Sequence, residues 1–97
     1  MNKKTNIRIL VVDDDKFMLE SISLLLRELG VSEVLVAEDG KAGLYVLSTQ
    51  VTPVDLMICD IEMPGMDGVE FLRNIADQKY SGKIVLFSGV DSDLLKA

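Results

Sequence analysis

The 97-residue chain contains no histidine. That alone excludes Ser-His-Asp and Cys-His catalysis and a His-ligated zinc. A single cysteine allows no internal disulfide, so a reducing cytoplasmic compartment is the expected one. No apolar run approaches the roughly 18 residues a membrane helix needs. The apolar stretch after the basic start Met1–Asn6 stops at Val12 against three acids, too short for a signal peptide. Basic charge is also scarce: 10 Lys and Arg against 16 Asp and Glu leave a net charge of −6, and the ten are nowhere clustered. Bulk electrostatics therefore gives the chain no hold on nucleic acid or on an anionic membrane. There is no repeat, low-complexity tract or linker-like segment. With 48% apolar and 27% charged residues, the composition is that of one globular domain.

What is present alternates between two patterns. Ile7–Val12 is a β-branched, nearly continuous apolar run, as in a strand buried on both faces. From Lys16 to Leu29 the spacing becomes helical, with Met18, Ile22, Leu25 and Leu29 as the expected apolar stripe. Asp15 is the expected N-cap, and Gly30 stands where a left-handed residue ends a helix. A second strand is expected over Glu33–Ala37 and a second helix over Lys41–Thr49. A third strand follows over Asp55–Cys59. Asp67 opens a third helix with Val69, Leu72, Ile75 and Ala76 inward, and a fourth strand covers Lys83–Phe87. A fourth helix is expected from about Asp91. Gly43 inside the second helix costs about 1 kcal/mol of propensity relative to Ala.

Strands that alternate with helices predict an α/β, doubly wound parallel sheet with right-handed crossovers. Such a sheet binds ligands beyond the carboxyl ends of its strands. Those ends carry oxygen: Asp13-Asp14-Asp15 after the first strand, Asp60 after the third, Ser88 after the fourth. If the first and third strands are neighbours, about 4.8 Å apart, the carboxylates of Asp13, Asp14 and Asp60 converge. Carboxylates that close either hold a proton or take up a cation. All-oxygen ligands in a small open site suit Mg²⁺, which keeps its waters and bridges to phosphate. Carboxylates, Mg²⁺ and a hydroxyl donor together suit phosphoryl transfer, with one Asp as nucleophile.

Ile9–Asp15, then Asp55-Leu56-Met57-Ile58-Cys59-Asp60-Ile61-Glu62-Met63-Pro64-Gly65-Met66-Asp67-Gly68, then Ile84–Gly89, resemble the receiver domain of two-component response regulators, whose fold is flavodoxin- or CheY-like. The likeness runs over residues 1–97. It implies that Asp60 is the phosphoacceptor, served by a sensor histidine kinase or a phosphotransfer protein. It implies Mg²⁺ on Asp14, Asp60 and the backbone carbonyl of Glu62, with Asp13 holding the metal through water. Ser88 would bond the phosphoryl oxygens and move its loop, and the Glu62 side chain would tune water access to the acyl phosphate. The family has five βα units in sheet order 2-1-3-4-5; four strands fit here, in order 2-1-3-4. The Lys that follows the family's fifth strand has no counterpart, because Lys96 falls too early. The chain thus reads as a piece of a longer regulator, truncated before strand 5, with an open strand 4 edge through which it would self-associate.

Two other readings stand beside this one. Asp13-Asp14-Asp15 also fits the Asp-x-Asp of haloacid-dehalogenase-type phosphatases, although Phe17 occupies a position usually held by Thr or Val. The chain would otherwise serve as an interaction module that is never phosphorylated. On its leading reading the receiver is not an enzyme beyond its own phosphorylation and dephosphorylation. The stretch Phe71–Gly82, followed by Ser88-Gly89-Val90-Asp91, resembles receivers attached to cyclic-di-GMP phosphodiesterase (EAL) domains.

Overall fold

A computed structural model describes residues 5–63 and 67–87. Their elements follow in the order β1 (Thr5–Val12), α1 (Lys16–Glu28), β2 (Val31–Ala37), α2 (Gly40–Thr49), β3 (Leu56–Asp60), α3 (Gly68–Asp77) and β4 (Lys83–Phe87). All strand pairings are parallel, and the sheet order is β2-β1-β3-β4. This is the α/β sheet expected. The strand ends moved by at most two residues, mainly because β1 and β2 pair beyond their apolar runs. Thr5 lies opposite Val31, with an irregularity before Arg8.

Buried on both faces, the two central strands carry the core. Leu10, Val12, Met57 and Cys59 face one side, where they meet Phe71 and Ile75 of α3 and the half-buried Ala42, Leu44, Val46 and Leu47 of α2. Ile9 and Val11 face the other side and meet Leu19, Ile22 and Leu26 of α1. Parallel strands without solvent on either face need apolar residues at every position, which is why β1 reads as a continuous run.

The caps at Asp15 and Asp67 fall where the sequence placed them, and Asp39 caps α2 in the same way. Asp15 accepts from the Phe17 and Met18 N–H groups, Asp39 from Ala42 and Asp67 from Val69. Each satisfies a donor that the first helical turn otherwise leaves unpaired. Gly30 ends α1 with φ at +96°, the left-handed geometry that a side chain disfavours.

Two expected stripes are in the wrong phase. On α1, Met18, Leu25 and Leu29 are exposed, Leu29 to 69%, while Leu19 and Ser23 are buried. On α3, Val69, Leu72 and Ala76 are exposed, and Phe71 joins Ile75 inside. The reason on α1 is the same excess that suggested the stripe: apolar residues encircle most of the helix, so period alone does not choose a face. The sheet chooses it. Gly43 has a packing cause rather than being only a cost. A Cβ there would stand 3.1 Å from a methyl of Val12, so α2 approaches β1 through the glycine.

At the opposite end of the sheet from the acids, Arg8 ties four segments. Its guanidinium donates to Glu33 at 2.6 and 3.1 Å, to the Gln50 side chain at 2.6 Å and to the Thr52 carbonyl. Its backbone N–H donates to the Asp55 carboxylate at 2.8 Å. The Glu33 partnership holds the guanidinium pKa above its ordinary value and the Glu33 carboxyl below its own.

Candidate functional site

β1 and β3 lie side by side, with Val12 opposite Cys59. Their next residues, Asp13 just beyond β1 and Asp60 at the end of β3, therefore stand at the same rim. One carboxylate oxygen from each of Asp13, Asp14 and Asp60 lies within 4.8 Å of the other two. Among the described residues this is the group able to hold a metal ion. Asp13 and Asp60 are buried, with 2% and 5% of their surface exposed, while Asp14 opens to solvent. The site is thus two walled carboxylates and one at the mouth.

Local backbone bonds aim these groups. The Asp13 N–H donates to the Ala37 carbonyl at 3.1 Å, which pins the end of β1 to β2. One Asp13 oxygen accepts from the Asp15 N–H at 2.9 Å, and one Asp60 oxygen accepts from the Glu62 N–H at 2.8 Å. The Ile61 N–H reaches the Phe87 carbonyl at 2.9 Å, so the chain beyond Asp60 continues along β4. In both acids the side chain closes a turn with the residue two ahead. That leaves the remaining carboxylate oxygen to take a ligand.

Burial is the main force on the Asp13 carboxyl and pushes its pKa above the ordinary carboxylate range. The bond from Asp15 opposes this, while the charges of Asp60, Asp14 and Asp15 add to it. Buried like charges of this kind are relieved by a cation. The donor set is oxygen only, and it is open on one side, which fits Mg²⁺ better than a soft metal. Next door, Cys59 is wholly buried and its thiol is pushed up to about 12, first by burial and then by the charges of Asp60 and Asp13. It packs as a small apolar residue in the central strand β3.

Of the residues singled out in the sequence, Asp13, Asp14 and Asp60 come together. Glu62 sits beside them, exposed, with its N–H on Asp60. Ser88 lies outside the described residues, as do Pro64, Gly65 and Lys96. The family model of the response regulator receiver domain matches residues 9–97. The chain belongs to the response regulator receiver family.

The receiver is 34% identical over 88 residues to the chemotaxis protein CheY of Treponema pallidum, covering 91% of this chain and 61% of that protein. It is 38% identical to a protein-glutamate methylesterase/protein-glutamine glutaminase of Desulfotalea psychrophila, covering 91% of the chain and 24% of that protein. Against the cyclic di-GMP phosphodiesterase RocR of Pseudomonas aeruginosa the identity is 33%, over 95% of the chain and 23% of RocR. The receiver thus spans about a quarter of the two larger relatives. Among solved structures, a receiver domain protein from Clostridium thermocellum superposes with a TM-score of 0.77 at 32% identity, covering 94% of this chain and 71% of that one. The receiver domain of the histidine kinase CKI1 from Arabidopsis thaliana, complexed with Mg²⁺ and BeF₃⁻, gives 0.74 at 27% identity, covering 91% and 69%. As a receiver domain the chain is a phosphoacceptor signalling switch. No helix among the described residues is long and apolar enough to cross a membrane.

Proposed function

We propose that Asp60 is the residue phosphorylated, with Asp13, Asp14, Asp60 and the backbone carbonyl of Glu62 holding Mg²⁺. A sensor histidine kinase or a phosphotransfer protein in the cytoplasm is the donor. The observation that carries this is the convergence of three carboxylates within 4.8 Å at the carboxyl ends of β1 and β3. The metal's contribution when bound is to offset the charge of an incoming phosphoryl group. The chain supplies the rest. The free Asp60 oxygen attacks phosphorus in line, and the phosphorus–nitrogen bond of the donor's phosphohistidine breaks. The bonding pair stays on the imidazole nitrogen, which takes a proton. The Glu62 N–H, already on Asp60 at 2.8 Å, keeps the acceptor turned to the rim. Ser88 then bonds the phosphoryl oxygens and shifts the loop after β4, and this loop movement is the signal. The test is phosphate incorporation from acetyl phosphate with Mg²⁺, expected in the wild type and abolished in Asp60→Asn. Incorporation that survives Asp60→Asn refutes the assignment. Absence of any beryllofluoride-induced NMR shift favours an interaction module instead.

Two finer points belong to the same reading. The receiver turns over no external ester, so hydrolysis of p-nitrophenyl phosphate would point to a dehalogenase-type phosphatase. The chain self-associates at the β4 side. β4 is the outer strand among the described residues, and Val85 and Leu86 on it are 49% and 41% exposed. A free strand edge with apolar side chains invites pairing. Sedimentation at high micromolar concentration should show dimers; a clean monomer rejects the point.

A further inference from the structure

On the far side of α1 from β4, a second feature has no part in phosphoryl transfer. Lys16, Glu20, Ser23 and Arg27 recur at helical spacing along one flank of α1 and face Val36 of β2 and Glu38 just beyond it across a groove of about 350 Å³, floored by Leu19. Ser23 is only 6% exposed, and its Oγ has no hydrogen-bond partner among the described residues. A buried hydroxyl without a partner is costly, and native cores carry few. The charges are uneven too. Lys16 lies 3.8 Å from Glu38, whereas neither Arg27 nor Glu20 has an ion pair among the described residues. One turn of helix separates Arg27 from Ser23, so their side chains start about 6 Å apart on one face. A carboxylate that entered between them would accept from both.

The other wall is the strand that stands outermost on this side among the described residues. β2 is the outer strand on this side of the sheet, and the Ala37 carbonyl turns inward to Asp13. Alternation along a parallel strand then turns the N–H and C=O groups of Val34 and Val36 outward. A peptide paired there would lie about 4.8 Å from β2, and its residue beside Val36 would point its side chain to the α1 face.

We infer that the α1–β2 groove docks an extended peptide segment that adds to the edge of β2 and places an acidic side chain between Ser23 and Arg27. The Ser23 oxygen is closed to water in the free protein, so the exposed Glu20 and Arg27 side chains part as the carboxylate enters. The site is separate from the Asp60 rim, and the inference does not depend on phosphorylation.

The probe is a blocked peptide, Thr-Val-Thr-Glu-Thr-Val-Thr, titrated into the ¹⁵N-labelled 97-residue chain. Amide shifts are expected at Val34, Val36, Ser23 and Arg27. Replacing the central Glu by Gln, or the protein's Arg27→Gln, should weaken binding about fivefold, since a charge-assisted bond is roughly twice as strong as a neutral one. Ser23→Ala should weaken binding similarly while leaving the melting temperature equal or higher, because it removes an orphan hydroxyl. The inference falls if no shifts arise at millimolar peptide, if they gather at Asp13 and Asp60, or if both variants bind as the wild type does. A lower melting temperature for Ser23→Ala also overturns it, since the hydroxyl is then satisfied inside the fold.

Discussion

Replacing Asp13 by Asn separates what this residue costs the fold from what it contributes to the site. The side chain keeps its shape, and its oxygen still accepts from the Asp15 N–H. Only the charge goes. Two unit charges 4.8 Å apart, the outer bound for the Asp13–Asp60 pair, repel by about 3.5 kcal/mol at an effective dielectric of about 20 and by about 0.9 kcal/mol in water. The exposed Asp14 places this rim between the two limits, and partial protonation of Asp13 relieves some of the repulsion. Without divalent ions at neutral pH, Asp13→Asn should therefore stabilise the fold by about 1–2 kcal/mol, or roughly 5–10 °C for a domain this small. The pH dependence has a definite sign. Asp13 holds its proton more tightly folded than unfolded, so wild-type stability falls as pH rises from the ordinary carboxylate value, near 3.9, through the raised one. The difference between variant and wild type should open over that window and persist above it. Mg²⁺ should narrow it, because a ligand at about 100 times its dissociation constant stabilises the native state by about 2.7 kcal/mol and the variant has lost one carboxylate. Thermal melts from pH 4 to 8, with and without Mg²⁺, read all of this. An Asp13→Asn protein that melts below wild type without metal, or that keeps the full Mg²⁺ increment, would refute the reasoning.

Further outcomes follow from other parts of the structure. Gly43→Ala should lose stability by about 1 kcal/mol despite its better helix propensity, since the added methyl meets Val12 at 3.1 Å; urea unfolding decides the sign. Gly82→Ala should cost more than about 2 kcal/mol, because its Cβ would stand 2.6 Å from the Val54 carbonyl and against the Tyr80 ring. Arg8→Ala should cost about 2 kcal/mol in urea unfolding, and Glu33→Gln should flatten the acid limb. The Glu33 carboxyl is held below its ordinary value by Arg8, so its contribution is present above that value and lost as pH falls through the depressed one. Cys59 should resist thiol reagents at neutral pH until the protein unfolds, because its thiol is buried and pushed up to about 12; prompt labelling of the native protein would contradict its burial.

Much of the acid rim was open to reading along the chain. Asp13 and Asp60 each close an apolar strand, and the alternation of strands and helices puts strand ends on one rim. The N-caps at Asp15 and Asp67 were legible for the same local reason: an acid directly before a helix has N–H groups to accept from. What one dimension withheld was phase and proximity. Apolar residues surround so much of α1 that only the sheet selects Leu19, Ile22 and Leu26 as the inward face and leaves Leu25 and Leu29 outside. On α3, Phe71 is inside because it reaches β1 and β3, a contact that spacing within the helix does not encode. Gly43 looked like a weak point until Val12 came to lie against it. The convergence of Arg8 with Glu33, Gln50 and Thr52 joins residues 25 to 44 positions apart, and the orphaned hydroxyl of Ser23 exists only once α1 lies down on β2. Residue type and local order specify which segments form and which chemistry stands at their ends. Rotation about a helix axis and the approach of distant segments are decided by packing, whose energy is shared among partners that no single stretch of sequence contains.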